Sequence, residues 1–136
     1  MVSDKSPQEY FKSLIVRCFK AWDSLDPKNA APFCAKDPNL AFFDFAPLKY
    51  KGWKQYAAGG KKTFFDQMLS SKVTMHDDFS ATRRGNTAWV TVTLHLSGKM
   101  KDGKELEVDG RYTAILEKRG DRWLVVHDHW SAPLQT

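Results

Sequence analysis

The stretch Ala88-Trp89-Val90-Thr91-Val92-Thr93-Leu94-His95-Leu96 sets Val90, Val92, Leu94 and Leu96 on one face of an extended chain. Trp89, Thr91, Thr93 and His95 fall on the other face, the two-residue period of a β-strand. The apolar face needs a core. The opposite face, with Trp89 and the threonine methyl groups, carries more apolar surface than a monomer requires, which predicts a homodimer through the sheet.

Moving outward from this strand, the same period continues on both sides. Asp102-Gly103 and Gly120-Asp121 are hairpin turns, so strands are expected from about Glu105 to Lys118 and from Arg122 to Ser131. Upstream, Arg84-Gly85-Asn86 turns the chain, and Val73, Met75, Asp77 and Phe79 alternate from Lys72 onward. Four long strands joined by tight turns form a meander.

Ahead of Lys72 the period is helical. Ser6 caps, Pro7 suits a first helical position, and Glu9 completes the start signal. Tyr10, Phe11, Leu14, Ile15, Cys18, Phe19, Trp22 and Leu25 then form one apolar stripe. Asp26-Pro27 ends that helix and caps a short second one through Phe33 and Cys34. Leu40 to Phe45 reads as a short buried strand closed by Pro47, and Gly52 opens a third helical stretch whose Trp53, Tyr56, Ala57, Phe64 and Met68 share a face. Within it Gly59-Gly60 costs roughly 1 kcal/mol per glycine against alanine, which implies a kink or close packing.

No linker or repeat divides the chain, so one α+β domain over residues 1–136 is expected, with a curved antiparallel sheet around three helices. Composition agrees: 42% hydrophobic, 27% charged and 13% aromatic residues describe a globular chain with bulky material for a core or cavity. The net charge of +5 comes from 21 basic residues dispersed among 16 acidic ones. Without a basic stripe interleaved with aromatics, no nucleic-acid partner is expected; a solvated basic face, or attraction of a small acidic molecule, fits better. Met1-Val2-Ser3-Asp4-Lys5 lacks the apolar core of a signal peptide, and no run reaches membrane-spanning length. Cys18 and Cys34 form no CxxC pattern and read as reduced, partly buried thiols. Together these imply a cytoplasmic protein with no membrane partner.

Few residues carry candidate chemistry. Asp44 stands between Phe43 and Phe45, where apolar walls would raise its pKa and suit it to general acid–base work; a strand-end capping role is the competing reading. His127 and His129 share a strand face, with Asp128 opposite. An HxH pair can hold a metal, but the third ligand, for which His95 is the candidate, is not fixed beside it, so structural or pocket-lining histidines are expected instead. Arg111 binds an anionic group if it points inward, or pairs with Asp109 or Glu117 if it does not. Trp22, Trp53, Trp89 and Tyr50 are candidates for an apolar pocket lining or for plain core. No nucleophile elbow occurs, and Gly59-Gly60-Lys61-Lys62-Thr63 is not a phosphate-binding loop, so no cofactor is expected.

The order of elements, the Asp that follows the first strand, and the ending Gly120-Asp121-Arg122-Trp123-Leu124-Val125-Val126-His127-Asp128-His129-Trp130-Ser131-Ala132-Pro133 resemble the SnoaL-like, nuclear transport factor 2-like superfamily. That superfamily includes ketosteroid isomerase, polyketide cyclases and the association domain of calcium/calmodulin-dependent kinase II. The resemblance implies a cone-shaped sheet, a pocket between sheet and helices, and usually a homodimer. It puts Asp44 where the isomerase has its general base. The positions of the isomerase's two oxyanion donors, a helix-1 tyrosine and a protonated aspartate, fall near Cys18 and Phe19 and near Thr113, so neither donor is matched. Similarity to the association domain implies that Trp89, Thr91, Thr93 and His95 face the cavity. The expected roles are therefore Asp44 and His129 in proton transfer, and His95, Arg111, His127, Trp53, Trp89 and Tyr50 in binding a small apolar or acidic molecule. A non-catalytic dimerisation or ligand-binding module is the alternative.

Overall fold

A computed structural model of the protein describes residues 6–134; the stretch Met1–Lys5 read above for a signal peptide lies outside them. Helix α1 (Pro7–Asp23) starts as its sequence dictates, with the Ser6 hydroxyl accepting the Glu9 N–H at 3.2 Å. Its buried face is Phe11, Leu14, Ile15, Cys18, Phe19 and Trp22; of the expected stripe, Tyr10 is only partly buried and Leu25 lies past the helix end with a positive φ of 64°. Asp26 caps the four-residue α2 (Pro27–Ala30) by accepting the Lys28 N–H at 3.0 Å, and a 3₁₀ turn follows at Ala31–Phe33.

Strand β1 is shorter than expected. Only Ala41–Phe42 pairs in ladder fashion, with β2 (Tyr50–Lys51), and helix α3 (Gly52–Thr63) begins directly afterwards. Gly59 explains its place in α3: a Cβ there would lie 2.1 Å from the Tyr50 ring, so the glycine admits close packing. The helix does not reach Met68. Phe64 leaves helical geometry, a 3₁₀ turn spans Phe65–Gln67, and Met68 opens a strand.

The sheet holds five strands rather than the expected four. Strands β3 (Met68–Met75) and β4 (Ser80–Arg84) both pair with β5 (Thr87–Met100), one after the other along the same edge. What the alternation suggested was one strand is broken between them at His76–Phe79. There the Asp78 carboxylate accepts the Thr93 backbone N–H at 2.9 Å and its hydroxyl at 2.7 Å, taking the place of a ladder partner. Beyond β5 lie β6 (Glu105–Arg119) and β7 (Arg122–Ser131), each antiparallel to its neighbour. The architecture is thus α+β, a curved antiparallel sheet wrapped around helices. Val90, Val92, Leu94 and Leu96 are buried in the same core as the apolar face of α1. Cys18 and Cys34 are buried there as free thiols. No helix among the described residues is long and apolar enough to cross a membrane.

Candidate functional site

The site is founded on an irregularity in β7. Leu116 of β6 faces Val125, but the next pair is Ile115 with His127, so Val126 is an extra residue. Such a bulge exchanges the faces of every residue beyond it. Trp123 and Val125 point inward before it, and Asp128 and Trp130 point inward after it. Asp128 is thereby carried into the core, where it is 1% exposed.

Three aromatic side chains surround that carboxyl group. The phenol groups of Tyr56 on α3 and Tyr112 on β6 each donate to Asp128 Oδ2 at 3.3 Å. Trp130 Nε1–H donates to the Tyr56 hydroxyl at 3.0 Å. Asp128 Oδ1 is buried without a partner among the described residues. An ionised carboxylate is poorly served by such a place. Burial, and then the negative charge of Asp44, push the Asp128 pKa up to about 8 against the opposing hydrogen bonds of its neighbours. Tyr56 and Tyr112 are held well above the usual phenol range, chiefly by burial and then by Asp128.

Asp44 reaches the same region from the other side. The Phe43 backbone N–H donates to the Asp128 carbonyl at 3.0 Å and the Trp130 N–H donates to the Phe43 carbonyl at 2.8 Å, laying Phe43 alongside β7. The next residue leaves this pairing. Asp44 is half-buried, its Oδ1 accepting the Phe45 N–H at 2.7 Å, and burial raises its pKa to about 6 despite that bond.

Asp44 lines a cavity of about 160 Å³ between the sheet and the helices. Its walls are largely aromatic: Trp22, Phe45, Tyr56, Phe64, Phe65 and Trp130, with Val73 and Leu96 contributed by the sheet. A second carboxylate, Asp23 at the end of α1, also lines it. Both Asp23 oxygens lie 3.1 Å from the Val73 N–H, and burial lifts its pKa to about 6, opposed by that N–H and by Lys72. Among the described residues, no Lys, Arg or His lines the cavity. The acidic ligand expected from the net charge therefore meets two carboxylates and no basic partner.

The other candidate residues lie elsewhere. In the cross-strand register, Trp89, Thr91, Thr93 and His95 occupy the outer face of β5 and do not face the cavity; the face that opens to the core is the branched aliphatic one. His95 sits between two carboxylates on that outer surface, with Nδ1 2.8 Å from Asp109 and Nε2 2.5 Å from Glu107. Arg111 is exposed on the same side, opposite Thr93 and Ser131. The bulge also puts His127 and His129 outside. His127 Nδ1–H donates to the Ala41 carbonyl at 2.6 Å, and the Phe43 ring meets both imidazoles edge to face. His95 pairs with Asp109 and His129 with Thr113, so the three histidines do not converge, and no metal-holding group of three ligands occurs among the described residues.

Tyr50 is buried in contact with α3, its hydroxyl 3.5 Å from Thr63 Oγ1. Trp53 packs on Trp22 and Tyr56 without joining the lining, with the Lys36 ammonium 4.6 Å from its ring centre. Of the residues singled out in the sequence, Asp44 and Trp22 line the cavity. Tyr56, Tyr112, Asp128, Trp130 and Asp23 were not among the candidates. Tyr56 reads as one more member of an apolar helix face, and Asp128 as the residue opposite the histidines.

Comparison with known proteins agrees with this architecture. The sequence profile of the SnoaL-like domain matches residues 12–135. A search of curated proteins finds no significant match. Among solved structures, a nuclear transport factor 2-like superfamily protein from Salmonella enterica superposes with a TM-score of 0.86 at 21% identity, over 95% of this chain and 92% of that one. A candidate calcium/calmodulin-dependent protein kinase II association domain from Xanthomonas campestris gives 0.81 at 18% identity, over 100% and 94%. A candidate dehydratase of the nuclear transport factor 2-like family from Streptomyces avermitilis gives 0.80 at 13% identity, over 95% and 98%. With its family profile matched over nearly its whole length and its cone of sheet and helices shared with these structures, the chain belongs to the SnoaL-like domain family.

Proposed function

We propose that the protein binds a small ring compound in the aromatic cavity and moves a proton on it, as an isomerase or a dehydratase does. The observation that carries this reading is Asp44, a carboxylate of raised pKa on the wall of an otherwise apolar cavity. Ionised at neutral pH, it takes a proton from the carbon beside a carbonyl group.

Negative charge then develops on the carbonyl oxygen and needs a donor. Tyr56 is suited to supply it. Its hydroxyl accepts from Trp130 Nε1–H and donates to Asp128 Oδ2 at the wall of the cavity it lines, and the same O–H, turned to the ligand's oxygen, supplies the hydrogen bond. The protonated Asp44 closes the cycle in one of two ways. It returns the proton to another carbon, which moves a double bond, or gives it to a β-hydroxyl group, which leaves as water. The description of the Streptomyces avermitilis structure as a candidate dehydratase fits the second outcome.

The test is hydrogen exchange in D₂O. Phenylacetone and 2-indanone are incubated with the protein, and loss of their α-proton signals is followed by NMR. Enzyme-dependent exchange that falls by about 100-fold or more in Asp44→Asn supports the reading. Exchange that is unchanged in that variant overturns it.

A second property is favoured by the outer sheet face. Trp89 and Ile115, cross-strand neighbours there, are 39% and 38% exposed, and we propose that two copies associate across them. The buried free thiols suit a reducing compartment such as the cytoplasm.

A further inference from the structure

We propose that the cavity selects a single-ring ligand carrying a protonated amine, with the ammonium group on Asp23 and the ring among the aromatic walls. This deepens the reading of the cavity as a ligand site and rests on it.

Four observations converge. The first is size: a cavity of about 160 Å³ is close to the roughly 150 Å³ of an engineered cavity that takes one benzene ring. The second is charge. In a chain of net charge +5, the cavity collects two carboxylates and, among the described residues, no cationic side chain. An anionic ligand would be repelled from both, whereas a cation would be drawn to them.

The third is the state of those carboxylates. Asp23 receives one backbone N–H, shared between its two oxygens, and Asp44 receives one at Oδ1. A carboxylate has about four acceptor positions, so each keeps capacity for a donor from a ligand. The fourth is the setting of Asp23. It ends α1, where the partial negative charge of a helix C-terminus also favours a cation.

Beside Asp23 stands Trp22, nearly parallel to Phe65 with ring centres 5.6 Å apart, and Tyr56 lies 5.3 Å from Trp22. Aromatic faces next to a carboxylate are the chemistry that holds ammonium ions, since ring faces are electron-rich. With its amine on Asp23, a ligand presents its other end to Asp44 and Tyr56. The two carboxylates thereby divide the work into holding and reacting.

The test compares three probes of similar size and different charge by isothermal titration calorimetry at pH 7: 2-phenylethylamine, 2-phenylethanol and 3-phenylpropionate. The expected result is that the amine binds on the order of tenfold tighter than the alcohol, a cation–π and charge effect, and that the carboxylate does not bind detectably. In Asp23→Asn, whose amide oxygen still accepts the Val73 N–H, the amine falls to the affinity of the alcohol while the alcohol is unchanged. Equal binding of amine and alcohol, or tighter binding of the carboxylate, overturns the charge preference and leaves the cavity reading intact. An amine preference that survives in Asp23→Asn overturns the role given to Asp23. Failure of all three probes to bind at millimolar concentration overturns both readings. The wild-type comparison decides the charge class whether or not the variant folds.

Discussion

Replacing Asp128 by asparagine should change how stability depends on pH more than it changes the fold. In the native protein this acid has a pKa of about 8, against 3.8 for an ordinary aspartate. Between those values the folded state holds one proton that the unfolded chain has released. The unfolded state therefore binds fewer protons, and stability falls as pH rises, by about 1.4 kcal/mol per pH unit for one proton. The contribution is complete below pH 4 and is lost as pH climbs towards 8. From pH 5 to pH 7 this single group should cost about 3 kcal/mol, a large share of the stability of a small domain. Asp44 and Asp23 act in the same sense at lower pH, so the wild-type curve alone does not isolate Asp128.

The difference between wild type and Asp128→Asn does isolate it. Asparagine keeps an oxygen to accept from the tyrosines, has nothing to ionise, and should show a much flatter curve above pH 6. The assay is urea unfolding at pH 5, 6, 7 and 8, with both proteins compared at each pH and the m-value checked for constancy. Wild type should lose about 3 kcal/mol relative to the variant between pH 5 and 7. Parallel curves would refute the reasoning, because they would mean that Asp128 carries no extra proton in the native state.

Other outcomes follow from the same geometry. The exchange reaction in D₂O should rise with pH through about 6 and then level off, as Asp44 becomes ionised, and initial rates from pH 4.5 to 8 would show it. Tyr56→Phe should lower that rate by about 10²–10³-fold while leaving ligand affinity within a few fold, since the donor acts on charge formed during the reaction; equal losses in both would refute its assigned role. Gly59→Ala places a methyl group 2.1 Å from the Tyr50 ring and should destabilise by about 1–3 kcal/mol in urea, with most of the loss recovered in the double variant with Tyr50→Leu. Trp89→Glu should leave circular dichroism unchanged and reduce the mass seen by light scattering from that of two chains to one.

The overall fold was readable because strand alternation and helix spacing are local signals. Val90, Val92, Leu94 and Leu96 declared their inner face without help, and Ser6 and Asp26 declared their helix starts. The site was less readable because it depends on a register slip. Straight alternation puts His127 and His129 on the face of Trp123 and Val125, and only the extra residue at Val126 sends them outward and turns Asp128 in. Nothing in Val125-Val126-His127 marks a bulge, since its cause is the pairing with Ile115 and Leu116. The β5 face differs for another reason: the resemblance to the association domain implied it, against the burial that the aliphatic residues themselves require. Tyr56 was hidden by its company, because a tyrosine on an apolar helix face is most simply a core residue until its hydroxyl partner is known.

Phe43 has an effect on the cavity that reaches beyond its own contacts. Its main-chain bonds to Asp128 and Trp130 fasten the segment carrying Asp44 to the strand carrying the buried acid. The spacing of base and acid is consequently written in backbone, which side-chain replacement leaves untouched. Phe64, Phe65, Val73 and Leu96 come from other segments and can be exchanged around that fixed pair. A scaffold so divided can change what it admits while keeping what it does.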